Sequence, residues 1–332
     1  MVRNRSNPNW ANSDTAAPVA SDILCPGRGE IVTRVLANLC AVACLFTSSI
    51  AAADRILHRE NSLYSQIVVK QDGSIICLQF DVRRNLRNQS CINTRRPNEM
   101  VFSYTKMTMT TLLFTPNPRR ILIVGLGGGT LPMAYTKLFP KARIDSIEVD
   151  PAVVKVAEEF FQYRTTERVR THIQDARVWV KRAALVEPGI YDLVVLDAFN
   201  GEYIPEHLMT QEFFSDLKTL MTPDATLAAN TFTISDLYDS ESVTYESVFG
   251  SFINFRLPES ANRMIIVPPA DVSSDRLEER ASALTTTLKP FRVPIEKYAR
   301  LIAIAKKKKP DWNQNARVLT DQYSPANLLQ AR

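Results

Sequence analysis

The chain has 332 residues, 45% of them apolar and 23% charged, enough for one full core and a small satellite domain. Its net charge of +5, from 40 basic and 35 acidic residues, is too mild for a nucleic-acid partner. Neither an internal repeat nor a cysteine or histidine pair with metal-ligand spacing is present, so a repeat array and a metal centre are not expected.

The first 53 residues read apart from the rest. Residues 1–22 are rich in Asn, Ser, Ala and Pro and are expected to be disordered. Arg28 and Arg34 then precede nineteen uncharged residues, 35–53, which end in Ala51-Ala52-Ala53 before Asp54. A positive start, an apolar middle and an A-x-A end describe a secretory signal. The same length would just span a bilayer as an uncleaved anchor, although Asn38, Thr47, Ser48 and Ser49 sit poorly in lipid. Cys44 after Ala-Val-Ala is only a faint lipoprotein signal. The expected location is therefore exported, either periplasmic or membrane-anchored. A start placed too far upstream is the alternative, and it would make the protein cytoplasmic.

Residues 54–118 read as a small β domain with a linking helix. Segments 64–69 and 74–80 alternate around Gln71-Asp72-Gly73, whose Asp-Gly dipeptide marks a hairpin. A third strand takes in 89–92, a helix runs over 98–113, and Pro116-Asn117-Pro118 breaks the chain before the next strand. Removing the leader leaves two of the five cysteines, Cys77 and Cys91, one in each of two neighbouring strands. Antiparallel pairing would set them opposite one another and close a disulfide, which persists in an oxidising compartment. Two buried thiols acting as small apolar residues are the plain alternative.

Residues 119–332 carry the chemistry. The run ILIV at 121–124 is a strand covered on both faces, and Gly125, Gly127, Gly128 and Gly129 follow it at once. Such a turn lets backbone approach a ligand that any Cβ would block. A helix and a second strand lead to Glu148, about twenty residues on, where a carboxylate can accept both hydroxyl hydrogens of a ribose. A third strand over 170–174 ends at Asp175, placed to hold an adenine amino group as in S-adenosylmethionine-type folds. It is equally well placed to cap the helix over 176–184. The fourth strand, in YDLVVLDAFN, delivers Asp197 at its carboxyl end. Three carboxylates thus follow three successive strands onto one rim. Beyond them lie a helix over 210–221, a fifth strand over 226–231 and a helix over 243–252. An antiparallel pair over 254–257 and 263–267, a helix over 275–288 and an irregular tail over 312–329 complete the chain. The run Lys306 to Lys309 is a solvated turn.

These blocks resemble the polyamine aminopropyltransferase (spermidine synthase) family, most closely its bacterial spermidine synthase-like group. IEVDPAVVKVAEEFF at 147–161 is similar to the family's second block, and DAFNGEYIPEHLMTQEFF at 197–214 follows its fourth without a gap. SLYSQIVV and VLTDQYSPANLL extend the likeness over roughly residues 54–332. The resemblance implies a class I S-adenosylmethionine-dependent methyltransferase-like, Rossmann-like sheet with a small N-terminal β domain. It implies decarboxylated S-adenosylmethionine as co-substrate, held by Gly125, Gly127, Gly129, Glu148 and Asp175. Asp197 would deprotonate the attacking amine, with Tyr104, Asn200 and Tyr203 around the acceptor.

The departures from the family lie on the acceptor side. Gly127 stands where the family's glycine turn has an aspartate, Asn200 replaces the second acceptor-gripping aspartate, and Ser65 replaces a polyamine-contacting glutamine. The Y-H-E segment before the sheet becomes Ser103, Tyr104 and Thr105. Aminopropyl transfer to a polyamine such as putrescine is therefore the leading reading. Methyl transfer from S-adenosylmethionine and a non-catalytic nucleoside-binding protein are the alternatives. The partner is a small-molecule amine, with no nucleic acid. Membrane association through residues 35–53 and a homodimer are both compatible with this reading. S-adenosylmethionine and its decarboxylated form are made in the cytosol, so leader and co-substrate point to different compartments.

Overall fold

The computed structural model describes residues 54–82, 85–199 and 203–323. The leader over 1–53 and Asn200 lie outside the described residues. Four antiparallel strands open the fold in simple meander order: β1 (Arg55–Asn61), β2 (Gln66–Asp72), β3 (Ile75–Val82) and β4 (Asn85–Asn93). Gly73 takes φ +54° in the β2–β3 turn, as the Asp-Gly dipeptide predicts. β1 has no counterpart in the sequence reading. Its RILHREN is an edge strand with exposed and charged positions, so no apolar alternation announces it. Cys77 and Cys91 face one another in the β3–β4 register and are joined by a disulfide, with Cα atoms 4.1 Å apart.

The helix expected over 98–113 begins later, as α1 (Ser103–Thr108), and tightens into a 3₁₀ turn over Met109–Leu113. The reason is local. The Glu99 carboxylate accepts from Asn93 Nδ2 at 2.8 Å and from Arg96 Nε at 2.7 Å, which holds residues 94–99 in turns.

The second sheet has seven strands in the order β10-β11-β9-β8-β5-β6-β7. Strands β5 (Arg120–Val124), β6 (Arg143–Glu148), β7 (Val169–Ile173), β8 (Tyr191–Leu196) and β9 (Met221–Phe232) run parallel. β10 (Ile253–Arg256) and β11 (Asn262–Val267) close one edge antiparallel. Between them in the chain lie α2 (Thr130–Leu138), α3 (Pro151–Phe160), α4 (Ala176–Val186), α5 (Gln211–Leu220) and α6 (Tyr238–Phe249), followed by α7 (Ser274–Leu288) and α8 (Ile295–Ala305). This is the class I methyltransferase-like order, in which the chain reverses its direction of travel between β5 and β8. A crevice opens there at the carboxyl ends of the strands.

Strand alternation divides the core. Ile121, Ile123, Leu193 and Val195 pack with α2, α7 and α8 on one face, while Leu122, Val124, Val194 and Leu196 pack with α4, α5 and α6 on the other. The N-terminal sheet docks separately, laying Ile67, Val69, Leu78 and Ile92 on Val153, Val156 and Phe161 at α3. Burying each such aliphatic chain contributes roughly 1.5–3 kcal/mol, so the sheet is firmly seated over the β6 end of the crevice. At the other end of the chain the tail returns to the fold. Leu319 is buried, its carbonyl accepts from Gln211 N at 2.8 Å, and Asp321 accepts from Thr210 Oγ1 at 2.7 Å. Among the described residues no helix is long and apolar enough to cross a membrane.

Candidate active site

A cavity of about 370 Å³ occupies the crevice, floored by the glycine turn after β5 and roofed by the N-terminal sheet. Gly125 sits at φ +98°, and a Cβ there would lie 2.2 Å from the carbonyl oxygen of Asp197. The turn and the β8 end therefore interlock, and only glycine fits. Gly127, at φ +53°, is different: an added Cβ would make ordinary contact with Ser90 Cβ at 3.6 Å, so one is accommodated there.

All the described cofactor-side residues expected from the sequence line this one cavity, with the exception of Gly129. Gly129 instead begins α2 at φ +72°, where a Cβ would strike the Tyr163 ring. Glu148 faces the glycine turn. One of its oxygens accepts from Leu126 N at 3.1 Å, and the other accepts from Val149 N at 2.9 Å and Asp150 N at 3.1 Å. Burial pushes its carboxyl above the usual range, against the pull of those three N–H groups. Glu148 thus clamps the loop as well as facing the pocket. Asp175 caps α4 through Val178 N at 3.0 Å, and its second oxygen meets His207 Nε2 at 2.9 Å. Capping and pocket lining therefore coexist in one side chain.

Asp197 lies at the carboxyl end of β8. Asn230 Nδ2 donates to its Oδ1 at 2.9 Å, and the Tyr104 hydroxyl is its second hydrogen-bond partner. That hydroxyl also lies 3.3 Å from the Gln89 carbonyl, so its single proton serves one acceptor at a time. Burial raises the Asp197 carboxyl to about 7, even with both hydrogen bonds opposing the shift. The Tyr104 phenol is driven well above its ordinary value by burial and by the Asp197 charge. Tyr203 lines the cavity too. Ser65 does the same, with its Oγ buried and without a hydrogen-bond partner.

Two contributors escaped the sequence reading. Asn230 sits near the end of β9, and a lone buried amide in the apolar run TLAANTF was the available signal. His207 lies in a 3₁₀ turn whose placement against Asp175 has no local signature. Among the described residues no group of three or more His, Cys, Asp or Glu is placed to hold a metal ion.

The spermine/spermidine synthase domain profile matches residues 101–257. The polyamine aminopropyltransferase of Vibrio vulnificus is 44% identical over 301 residues, covering 90% of this chain and 98% of the relative. The chain belongs to the polyamine aminopropyltransferase family. A second likeness reaches the human eEF1A lysine and N-terminal methyltransferase, 30% identical over 190 residues, 53% of this chain and 27% of that protein. The crystal structure of a probable spermidine synthase from Corynebacterium glutamicum superposes with a TM-score of 0.63 at 22% identity, covering 82% of this chain and 98% of that one. At that identity the match carries the fold alone, and it is the aminopropyltransferase fold.

Proposed function

We infer that the protein is a spermidine synthase-like aminopropyltransferase, moving an aminopropyl group from decarboxylated S-adenosylmethionine to a small amine of the putrescine class. The observation that carries the mechanism is Asp197: a buried carboxyl raised to about 7, fixed by Asn230 and Tyr104, in the lining of a nucleoside-sized cavity. A base with that affinity is half-deprotonated near neutrality, where general-base catalysis is most effective.

The step is a displacement at carbon. Asp197 accepts a proton from the acceptor ammonium, freeing the nitrogen lone pair. That pair forms a bond to the methylene carbon beside the sulfonium, and the carbon–sulfur bond breaks with its electrons returning to sulfur. The leaving group is a neutral thioether, so no acid is needed to expel it. Glu148 and Asp175 face the nucleoside end, where they would engage ribose and adenine. Tyr104, Ser65 and Tyr203 would form the acceptor end. Holding both reactants in line supplies much of the rate.

Purified protein given decarboxylated S-adenosylmethionine and putrescine should form spermidine and methylthioadenosine. Asp197→Asn should lower turnover by at least about a hundredfold, within the span of general-base contributions, and leave nucleoside binding nearly unchanged. Undiminished turnover in the variant removes Asp197 from the chemistry.

Methyl transfer from S-adenosylmethionine is the second reading, and one observation favours it. Gly127, which lines the cavity, carries no side-chain charge where the family has an aspartate, so none at that position repels a cofactor carboxylate. Titration calorimetry with the two nucleosides separates the readings, since the tighter ligand names the reaction. We also propose that the folded domain works outside the reducing cytosol, which the Cys77–Cys91 disulfide supports.

A further inference from the structure

A second cavity, of about 440 Å³, lies away from the crevice, where β5 and β6 begin and beneath the carboxyl half of α4. Five arginines line it: Arg120, Arg143, Arg168, Arg170 and Arg182. Only three carboxylates do, Asp145, Glu167 and Glu187. The sheet register makes the arginines neighbours by design of the strands. Arg120 pairs with Arg143 across β5–β6, and Asp145 pairs with Arg170 across β6–β7. Arg170 and His172, two apart on β7, share a face, as do Arg143 and Asp145 on β6.

Like charges set directly across strands are destabilising, so this arrangement opposes folding unless something answers it. The resident acids answer it poorly. Arg120 reaches Asp145 and Glu187 only at 3.9 Å each, and its Nε is buried without a partner. Asp145 is already committed to His172 Nε2 at 3.1 Å and the Tyr191 hydroxyl at 3.0 Å. Burial draws the Asp145 carboxyl upward, but those bonds outweigh it and hold the group below its usual range, keeping it ionised. Among the described residues the guanidinium groups of Arg143, Arg170 and Arg182 take part in neither an ion pair nor a hydrogen bond, although Arg143 N donates to the Arg119 carbonyl at 2.8 Å. The negative end of α4 could explain Arg182, which stands in its last turns, but not the arginines that two strands deliver. One wall is aromatic: the Trp179 ring lies 5.1 Å from His172 and 6.5 Å from Tyr191.

We propose that this cavity is a second ligand site, taking a small molecule that carries a polyphosphate group. Arginine forks match phosphate oxygens two at a time, and several guanidiniums around one chamber suit a chain of phosphates better than a single one. A nucleoside polyphosphate would add a base against the Trp179 wall, whereas inorganic polyphosphate would use the arginines alone. Gln174 lines both this cavity and the crevice, and its N–H donates to the Glu148 carbonyl at 2.9 Å. The two cavities therefore meet only at Gln174, just past the end of β7.

The test is titration calorimetry of the full chain at low salt with pyrophosphate, tripolyphosphate and ATP. Saturable binding of pyrophosphate or tripolyphosphate is expected, unaffected by excess methylthioadenosine, weakening as salt rises and weakening at least about tenfold in Arg143→Ala/Arg170→Ala. Both positions are exposed, and Arg182→Ala gives a second, independent variant should the double one fail to fold. ATP tighter than tripolyphosphate names a nucleotide; equal affinity names the inorganic chain. The proposal is overturned if neither inorganic ligand binds, if methylthioadenosine displaces them, or if the arginine variants bind undiminished.

Discussion

Asp197 carries two opposed demands at the scale of a single residue. Burial that raises its carboxyl to about 7 makes it a usable base and also destabilises the folded state. The sign follows from proton binding. Between its unfolded value near 3.9 and about 7 the folded protein holds the proton more tightly, so stability falls as pH rises across that window and stays lower above it. At one pH unit per 1.36 kcal/mol, the loss is on the order of 4 kcal/mol by pH 8. Asp197→Asn removes the titration. Its melting temperature should exceed the wild type's at pH 8, with the gap closing toward pH 4, even as turnover is lost; equal curves at every pH would mean that the carboxyl is not desolvated. Turnover of the wild type should rise with pH through about 7, the limb of an essential base. Gly127 offers the complementary change. Its φ of +53° is one that aspartate tolerates, and an added Cβ would meet Ser90 Cβ at an ordinary 3.6 Å, so Gly127→Asp should fold at a cost of about 1–2 kcal/mol. It should shift binding toward the decarboxylated nucleoside, read as the ratio of two calorimetric affinities. Residues of this kind were legible where a strand end announces them, as at Glu148, Asp175 and Asp197. Asn230 and His207 were not, because sheet order and a loop crossing bring them in, and neither has a spacing rule.

At the scale of elements, hydrophobic period did most of the work. β5 (RILIV) and β8 (YDLVVL) are short, largely apolar runs followed by glycine or an acidic residue, and both lie where that pattern places them, whereas β9 starts at Met221, ahead of its apolar stretch. β1 was missed because an edge strand faces solvent, and α1 starts late because Glu99, bonded to Asn93 and Arg96, keeps the chain just before it in turns. The β3–β4 pair shows what register adds. Cys77 and Cys91 are direct partners 14 residues apart, so the bond closes a short loop and stabilises by about 3 kcal/mol on the chain-entropy estimate. A Cys77→Ala/Cys91→Ala variant should unfold at lower urea than the oxidised wild type, while reduced wild type should match the variant. Coincident curves for oxidised and reduced protein would show that the bond adds nothing to the hairpin. Because this sheet roofs the crevice through its seat on α3, the same variant should also bind the nucleoside more weakly.

The whole molecule raises the question of compartment. The proposed nucleoside co-substrate is made in the cytosol, while the proposal of export rests on the sequence of residues 35–53 and on the disulfide. The disulfide weighs more than composition because it joins the two cysteines that remain once a leader is removed, and reducing compartments do not preserve such bonds. Export would require that the co-substrate, or an acceptor and donor together, reach the enzyme across the membrane. Bacteria producing the full chain should yield it in the periplasmic or membrane fraction, with Cys77 and Cys91 protected from alkylation before any reductant is added. Deleting residues 1–53 should return the protein to the cytosol, where both thiols become reactive while the fold survives at reduced stability. Recovery of the full chain in the soluble cytosolic fraction, with both thiols labelled, would place the enzyme beside its co-substrate and end the case for export.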